Sequence, residues 1–319
     1  MSILVFVEHL DGKLKKQAGE LVSYAAQISP DVTLLAIGKV SQDELAKMGR
    51  YGASNCIHIQ EPGLEMQDNQ AYARWIAEIA EKEGTDLIIM ANSAFGKALA
   101  PRLSVRLKAG LVAGVVDLPT TDQGFRVKKK VFNGKAFAMV QILTSRKILT
   151  LNSNACPLIE KPTELQYQVF SQTQVPANAA MELVEKSQAS SGNLLTEASI
   201  VVSGGRGMRD PSNWAHLETL AQQLNAALAC SKPVSDEGWR SHSEHVGQTG
   251  KTIAPDLYVA VGISGAVQHL AGVSSSKTIV AINTDKEAPI FEVADYGMVA
   301  DALEVLPMLI QSVNKLHSS

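Results

Sequence analysis

The sequence lacks the charge pattern of a protein that binds nucleic acid or anionic lipid. Its net charge is -3 over 319 residues, and its acidic and basic residues are interspersed rather than gathered into a cationic run. An extended cationic field is what attracts polyanions over long distances. We therefore expect no nucleic acid among its partners.

Cysteine is scarce as well. The three cysteines, Cys56, Cys156 and Cys230, lie far apart and form no Cys-x-x-Cys pair. This spacing argues against a zinc site, an iron–sulfur cluster and a disulfide framework. We interpret the three as small buried hydrophobic residues in a reducing compartment.

Long apolar runs are also missing. No stretch reaches the roughly 18 to 20 apolar residues that span a bilayer, and the start MSILVFVEHL has neither a basic leader nor a small-residue cleavage site. We expect no membrane insertion and a cytoplasmic location.

The length suits two domains of about 100 to 200 residues each. An apolar run at 3–7, a helical pattern over 14–28 and a second apolar run at 32–37 give a strand–helix–strand order. The same alternation continues with helices at 42–51 and 69–83 and strands at 56–59 and 87–90. Such alternation predicts an α/β fold on a mainly parallel, doubly wound sheet.

Two changes in the sequence pattern predict where this first domain ends. Residues 115–148 alternate apolar with polar side chains, as in the antiparallel edge of a mixed sheet. Residues 172–193 are poor in large apolar side chains and predict a connector. We place the domains at 1–190 and 191–319.

The second domain repeats the α/β pattern. We predict strands at 198–202, 257–261 and 278–282, and a last helix at 301–313. Between them, one helix face is predicted from the spacing of Trp214, Leu217, Leu220, Ala221, Leu224 and Leu228.

Residues 246–272 are the most informative stretch. They begin with Gly-Gln-Thr-Gly-Lys-Thr, which resembles a phosphate-binding P-loop, but that motif requires glycine where His245 stands. Lys251 and Thr252 are therefore not expected to hold a nucleoside triphosphate.

Three turns follow predicted strands of this domain: residues 203–207, residues 262–265, and Asn283 with Asp285. Because parallel strands end at one sheet edge, a single nucleotide-like ligand could contact all three turns. Purely structural roles stay open for the glycine turns, for Arg206 and for His269.

The pair His242 and His245, with Glu244 between them, suggests a metal site but lacks both the four-residue helical spacing and a third ligand. No Gly-x-Ser-x-Gly elbow or Cys/His nucleophile pattern is present. We infer that any chemistry is carried by a cofactor.

Four segments together resemble the FAD-binding domain of the electron-transfer flavoprotein alpha subunit. They are VVSGGRG at 201–207, the stretch 246–272, SKTIVAIN at 276–283 and APIFEVADYG at 288–297. The first domain resembles the family more loosely, through ILVFVEH at 3–9 and residues 99–112.

The resemblance implies a DHS-like C-terminal domain that binds FAD, and an N-terminal domain without flavin that pairs with a beta subunit. Such a heterodimer carries electrons from acyl-CoA dehydrogenases to a quinone oxidoreductase or another acceptor, for instance in fatty acid beta-oxidation, and turns over no substrate of its own. The implied FAD-binding residues are Arg206, Ser231, Lys232, Val246, Gly247, Gln248, Thr249, Ser264, Gly265, Ala266, Val267, Gln268, His269, Asn283 and Asp301.

Within that set the resemblance also implies individual roles. Arg206 and Ser231 would contact the flavin ring, Thr249 would lie near ring atom N5, and His269 near the pyrimidine carbonyl. Residues 264–268 would hold the pyrophosphate. Asn283 and Asp301 would anchor the adenosine end.

The sequence departs from the family at Ser231-Lys232, where Ser-Arg is usual. Lysine keeps the charge but loses the planar fork of arginine, which bears on the flavin potential. In the first domain, residues 96–101 and 150–154 also depart from the usual pattern, which bears on the contact with the beta subunit.

Three alternatives remain. One is a bifurcating electron-transfer flavoprotein that takes electrons from NADH through a second flavin on its partner. Another is an NAD-binding enzyme domain of the transhydrogenase or thiamine-enzyme kind. The third is a regulatory module that senses adenine nucleotides.

Overall fold

A computed structural model describes residues 1–60, 68–132, 136–170 and 195–317. The chain divides into two compact units, Met1–Ser187 and Gln188–Ser319. The predicted connector at 172–193 lies outside the described residues.

The first unit is a nine-stranded sheet with helices on its faces, plus a short hairpin formed by β2 and β3. Its strands are β1 Ile3–Val7, β2 His9–Leu10, β3 Lys13–Leu14, β4 Val32–Ile37, β5 Asn55–Ile59, β6 Leu87–Ala91, β7 Gly110–Val115, β8 Arg126–Val131, β9 Ala136–Gln141, β10 Lys147–Leu151 and β11 Gln166–Val169. Its helices are α1 Gln17–Ile28, α2 Gln42–Ala46, α3 Asn69–Lys82 and α4 Ala94–Leu107.

The strand order of the large sheet is β11-β5-β4-β1-β6-β10-β7-β8-β9. Every residue of β1, β4 and β6 is buried, because apolar clusters cover both faces of the sheet. This explains why these strands read as continuous apolar runs. The predicted parallel sheet is confirmed.

The antiparallel edge is also present, but it is shorter than predicted. Strands β8 and β9 pair antiparallel with each other at the end of the sheet. In contrast, β10 lies parallel between β6 and β7 in the interior, so the end of the 115–148 segment was wrongly assigned to the edge. Leu14 likewise lies in β3 and not in the first helix.

The second unit is a five-stranded, wholly parallel sheet with the order β13-β12-β14-β15-β16. Its strands are β12 Ile200–Gly204, β13 Ala227–Cys230, β14 Leu257–Val261, β15 Thr278–Asn283 and β16 Tyr296–Val299. Its helices are α5 Ala215–Gln223, α6 Lys232–Asp236, α7 Val267–Val273 and α8 Ala302–His317. Separate apolar clusters cover its two faces, which confirms a second α/β unit.

The helix that begins near Trp214 is shorter than predicted. It ends at Gln223, and Asn225 adopts a left-handed conformation with φ of 49°. Asparagine tolerates this conformation, which stops a helix. Leu228 therefore belongs to β13 and was wrongly placed on the helix face.

Among the described residues, no helix combines the length and the apolar character needed to cross a bilayer.

Candidate functional site

A cavity of about 660 Å³ lies at the carboxyl edge of the second sheet. Strands β12, β14 and β15 are parallel neighbours, so the turns that follow them meet at one edge. All three turns contribute to the cavity wall, through Arg206 and Gly207, residues 262–265, and Asn283 with Asp285. The predicted convergence of these turns is therefore observed.

Most residues implied by the resemblance lie together in this wall. They are Arg206, Ser231, Lys232, Val246, Gly247, Gln248, Thr249, Ser264, Gly265, Ala266, Gln268, His269 and Asn283. The wall also contains residues that were not in the predicted set: Gly207, Pro233, His245, Gly262, Ile263, Asp285 and Ala288.

Two implied residues lie elsewhere. Val267 is the first residue of α7 and is 48% exposed, outside the cavity wall. Asp301 is also outside the wall; its Oδ1 accepts a hydrogen bond from the Leu303 N–H at the start of α8, 3.0 Å away, and its Oδ2 accepts one from Arg209 at 2.6 Å. In this structure Asp301 caps a helix.

Asn283 lines the cavity, but its side-chain amide is engaged in building the turn. Its Nδ2 donates to the Ile263 carbonyl at 2.9 Å, and its Oδ1 accepts from the Asp285 N–H at 3.0 Å. These bonds tie the end of β15 to the turn after β14. Asn283 therefore shapes the wall, whatever contact it makes with a ligand.

A compact loop places Gln248 and Thr249 at the cavity. The loop is closed by the Gly247 N–H donating to the Lys251 carbonyl at 3.1 Å and is tied to α7 by the Gln248 N–H donating to the Gln268 carbonyl at 2.7 Å. Lys251 does not line the cavity, so its side chain is not placed like that of a P-loop lysine.

Two helices begin at the cavity without a side-chain cap. Ser231 precedes α6 and Ala266 precedes α7, and neither side chain bonds to the N–H groups of the first turn. By contrast, Ser41 and Ser93 cap α2 and α4. The first N–H groups of a helix have no partner within the helix, so these two ends leave donors available to an anionic group.

The glycines of the turns are required by backbone packing. A Cβ at Gly265, where φ is 83°, would lie 2.3 Å from the Ile290 nitrogen, and one at Gly262 would lie 2.9 Å from the Gly207 backbone. No side chain fits at either place. The glycines therefore bring the turns together, which is the structural role that the sequence left open for them.

His269 lies on α7, 7% exposed and facing the cavity. Its Nε2 shares a 2.7 Å hydrogen bond with the Tyr258 hydroxyl. Its Nδ1 is buried beside the Val246 backbone, without a hydrogen bond of regular geometry to any described residue. Burial lowers the pKa of His269 to about 4 against the opposing effect of the Val246 backbone, and His245 nearby lowers it further. The imidazole is therefore neutral at pH 7.

The positive charge at the cavity comes from Arg206 and Lys232. The carboxylates paired with them are too far away to form hydrogen bonds. Arg206 Nη1 is 3.7 Å from Glu237 Oε1, and Lys232 Nζ is 3.9 Å from Asp236 Oδ2. Both cationic side chains are more than half exposed. Exposed pairs of this kind hold their partners weakly, so both cations are free to turn toward a ligand.

Most of the chain matches known protein families. Residues 3–188 match the family described as "Electron transfer flavoprotein domain", and residues 194–274 match the "Electron transfer flavoprotein FAD-binding domain". The electron transfer flavoprotein subunit alpha of Bacillus subtilis (strain 168) is 35% identical over 321 residues, covering 99% of this chain and 98% of the relative.

This chain belongs to the electron transfer flavoprotein alpha-subunit family. The alpha subunit of Pseudomonas aeruginosa is 36% identical over 322 residues, covering 98% of this chain and 100% of the relative. That of Syntrophomonas wolfei is 35% identical over 324 residues, covering 98% of each. The second unit is thus an FAD-binding domain, and FAD is its cofactor.

The cavity fits such a cofactor. FAD has an anionic diphosphate and a ring system with a polar edge, and the cavity offers uncapped helix starts, two cations and polar side chains in its wall. Its volume of about 660 Å³ lies within the usual range for ligand sites.

We predict that Gly265→Ala destabilises the second unit by about 2–5 kcal/mol, since it combines a left-handed backbone with overpacking. Gly238→Ala is the matched control, because Gly238 has φ of 75° and no atom within 4 Å of its Cβ position. It should cost about 1–2 kcal/mol. Urea unfolding measures both, and equal losses would contradict the packing role of Gly265.

A pH dependence follows from the lowered pKa of His269, since the unfolded chain binds a proton there at higher pH than the folded chain. Stability should fall as pH drops from about 6.5 to about 4, by up to about 3 kcal/mol. His269→Gln should flatten this part of the curve. Denaturant unfolding at several pH values measures the effect, and parallel curves for the two proteins would contradict it.

Proposed function

We propose that this chain is the FAD-binding alpha subunit of a heterodimeric electron carrier. The observation that carries the proposal is the cavity itself, in which uncapped helix starts face the same space as Arg206, Lys232 and His269. It lies largely within the segment that matches the FAD-binding domain. The relatives' name, electron transfer flavoprotein subunit alpha, supports the carrier role.

In this proposal different residues bind the diphosphate, the flavin ring and the adenosine end of FAD. The N–H groups at the start of α7, with residues 264–268, hold the diphosphate. Ser231, Thr249 and Arg206 contact the ring. Asn283 orders the wall at the adenosine end, and Asp301 caps α8.

When bound, FAD supplies the redox chemistry, accepting and releasing electrons. The protein environment sets the reduction potential of the bound flavin. Negative charge on the reduced ring would be favoured by the cations Arg206 and Lys232, while His269, which is neutral at pH 7, adds no charge to the cavity wall. About 1.4 kcal/mol of such stabilisation corresponds to about 59 mV for one electron.

The thiols give no support to a substrate-converting enzyme. Burial raises the pKa of both Cys56 and Cys230 to about 12. Each is therefore protonated at neutral pH, and the thiolate is the nucleophilic form of cysteine. A carrier role for the chain is consistent with these environments.

The proposed donors are acyl-CoA dehydrogenases or similar flavoenzymes, and the proposed acceptor is a quinone oxidoreductase or another electron acceptor. We further propose a cytoplasmic location and a role in fatty acid beta-oxidation. The proposal assigns the cofactor to the second unit and subunit pairing to the first.

The direct test is to purify the chain with its beta subunit and record visible spectra. We expect flavin absorption bands, which bleach when a catalytic amount of an acyl-CoA dehydrogenase and its acyl-CoA substrate are added. Bleaching by NADH alone would favour a bifurcating carrier instead. A complex that bleaches with neither reductant, although dithionite reduces it, would contradict the carrier proposal.

The first unit offers a candidate surface for the beta subunit. Strand β9 ends the large sheet, and its outward side chains Phe137 and Met139 are 55% and 58% exposed. Lys128 lies over the Phe137 ring, 4.4 Å from its centre. An end strand with exposed apolar side chains and unpaired backbone groups is a common docking site.

We predict that the double variant Phe137→Ser, Met139→Ser weakens the heterodimer by at least tenfold in Kd, because two apolar contacts of about 1 kcal/mol or more are lost. Val105→Ser, at an 81% exposed position on α4, is the control and should bind normally. Analytical ultracentrifugation measures both. Unchanged assembly of the double variant would exclude β9 as the interface.

A further inference from the structure

The segment before the Gly247 loop contains two histidines and a glutamate that the flavin site has not accounted for. Most of its side chains already have partners. Arg240 donates to both oxygens of Glu244, at 2.7 and 2.9 Å, and to Glu218 at 2.7 Å. His242 Nδ1 shares a 2.8 Å hydrogen bond with the Ser235 hydroxyl. No metal-binding cluster of three such groups occurs among the described residues, so the segment gives no support for a metal site.

His245 is the exception. It is only 6% exposed and it lines the cavity. Its backbone is fixed, because its N–H donates to the His242 carbonyl at 3.2 Å and its carbonyl accepts from the Lys251 N–H at 2.9 Å. Within the described ranges, no hydrogen bond to either ring nitrogen of His245 is found.

The ring of His245 packs inside the loop that carries Thr249. Its Nδ1 is 2.7 Å from the position that a Cβ on Gly250 would occupy, and its Nε2 is 3.4 Å from that on Gly247. The loop can therefore close over the imidazole only with a glycine at position 250. His245 and Thr249 are thus held on the same wall of the cavity.

The groups around His245 identify which end of the cavity it faces. Four titratable groups lie close enough to His245 to interact with it electrostatically: Lys232 and Asp236 on α6, His242 on its own segment, and His269 on α7. Lys232, Thr249 and His269 belong to the set expected at the flavin ring, and none of these neighbours belongs to the adenosine end.

The charge state of His245 is also suited to a neutral ring edge. Burial lowers its pKa, and His242 and Lys232 lower it further, against the opposing effect of Asp236. At neutral pH the imidazole is uncharged, with one nitrogen that donates and one that accepts. The flavin ring carries both kinds of partner on its polar edge.

We propose that His245 is a further cofactor-binding residue, whose imidazole hydrogen-bonds the polar edge of the flavin ring beside Thr249 and His269. This inference rests on the proposed function and assigns one more contact within the same site.

The test compares three variants of the heterodimer. His245→Leu removes the hydrogen bond, His245→Gln keeps a donor and an acceptor, and His242→Leu changes the neighbouring histidine that does not line the cavity. The Kd for FAD is measured by fluorescence after the cofactor is removed and titrated back. Imidazole ¹⁵N shifts of the wild type are recorded with and without FAD.

We expect FAD to bind about tenfold more weakly to His245→Leu, the loss typical of one buried hydrogen bond. His245→Gln and His242→Leu should stay within about threefold of wild type, and FAD should shift the His245 nitrogens. Equal Kd values for His245→Leu and wild type, equal losses in His245→Leu and His245→Gln, or an equal loss in His242→Leu would overturn the proposal. A wild-type heterodimer that binds no FAD would overturn the proposed function itself.

Discussion

The site depends on a close backbone contact between the turn after β12 and the turn after β14. The Gly205 N–H donates to the Val261 carbonyl at 2.8 Å and the Gly207 N–H donates to the Gly262 carbonyl at 3.0 Å. A Cβ on Gly205 would lie 2.1 Å from the Gly262 oxygen, so the approach is possible only with glycine. This contact holds Arg206 on one turn at a fixed place relative to Ser264 on the other.

The cavity wall contains two kinds of functional group, neutral hydrogen-bonding side chains and cations. Rigid elements supply the neutral hydrogen-bonding groups, with His269 fixed by Tyr258 and His245 enclosed by its loop. Exposed side chains supply the positive charge, through Arg206 and Lys232. Neutral groups that are already in place need little reorganisation when charge develops on a ligand. The exposed cations can change rotamer and approach that charge.

The sequence predicted the fold well where burial is uniform. The fully buried strands β1, β4 and β6 read as apolar runs because both of their faces are covered. It failed where a single residue decides the outcome. Leu228 continues the helical spacing, but the left-handed Asn225 ends the helix first. The short strand β16 was not predicted, because its sequence YGMV is only four residues long and contains a glycine, and all four residues are exposed.

For the site, parallel pairing made the convergence of the three turns predictable, and the family resemblance supplied most of the wall. His245 was considered only as a metal ligand, because spacing along a chain does not show which side chains are already paired. The resemblance implies that Asp301 binds the cofactor, and the fold adds a second role, because its carboxylate caps α8. Both observations need the hydrogen-bond partners that only the fold provides.

The most direct measurement is a crystal structure of the heterodimer with FAD. The flavin ring should lie in the cavity of the second unit, in contact with Thr249 and His269, with the diphosphate at residues 264–268. A flavin bound only to the beta subunit, or a diphosphate away from the start of α7, would contradict the assignment of this cavity to FAD.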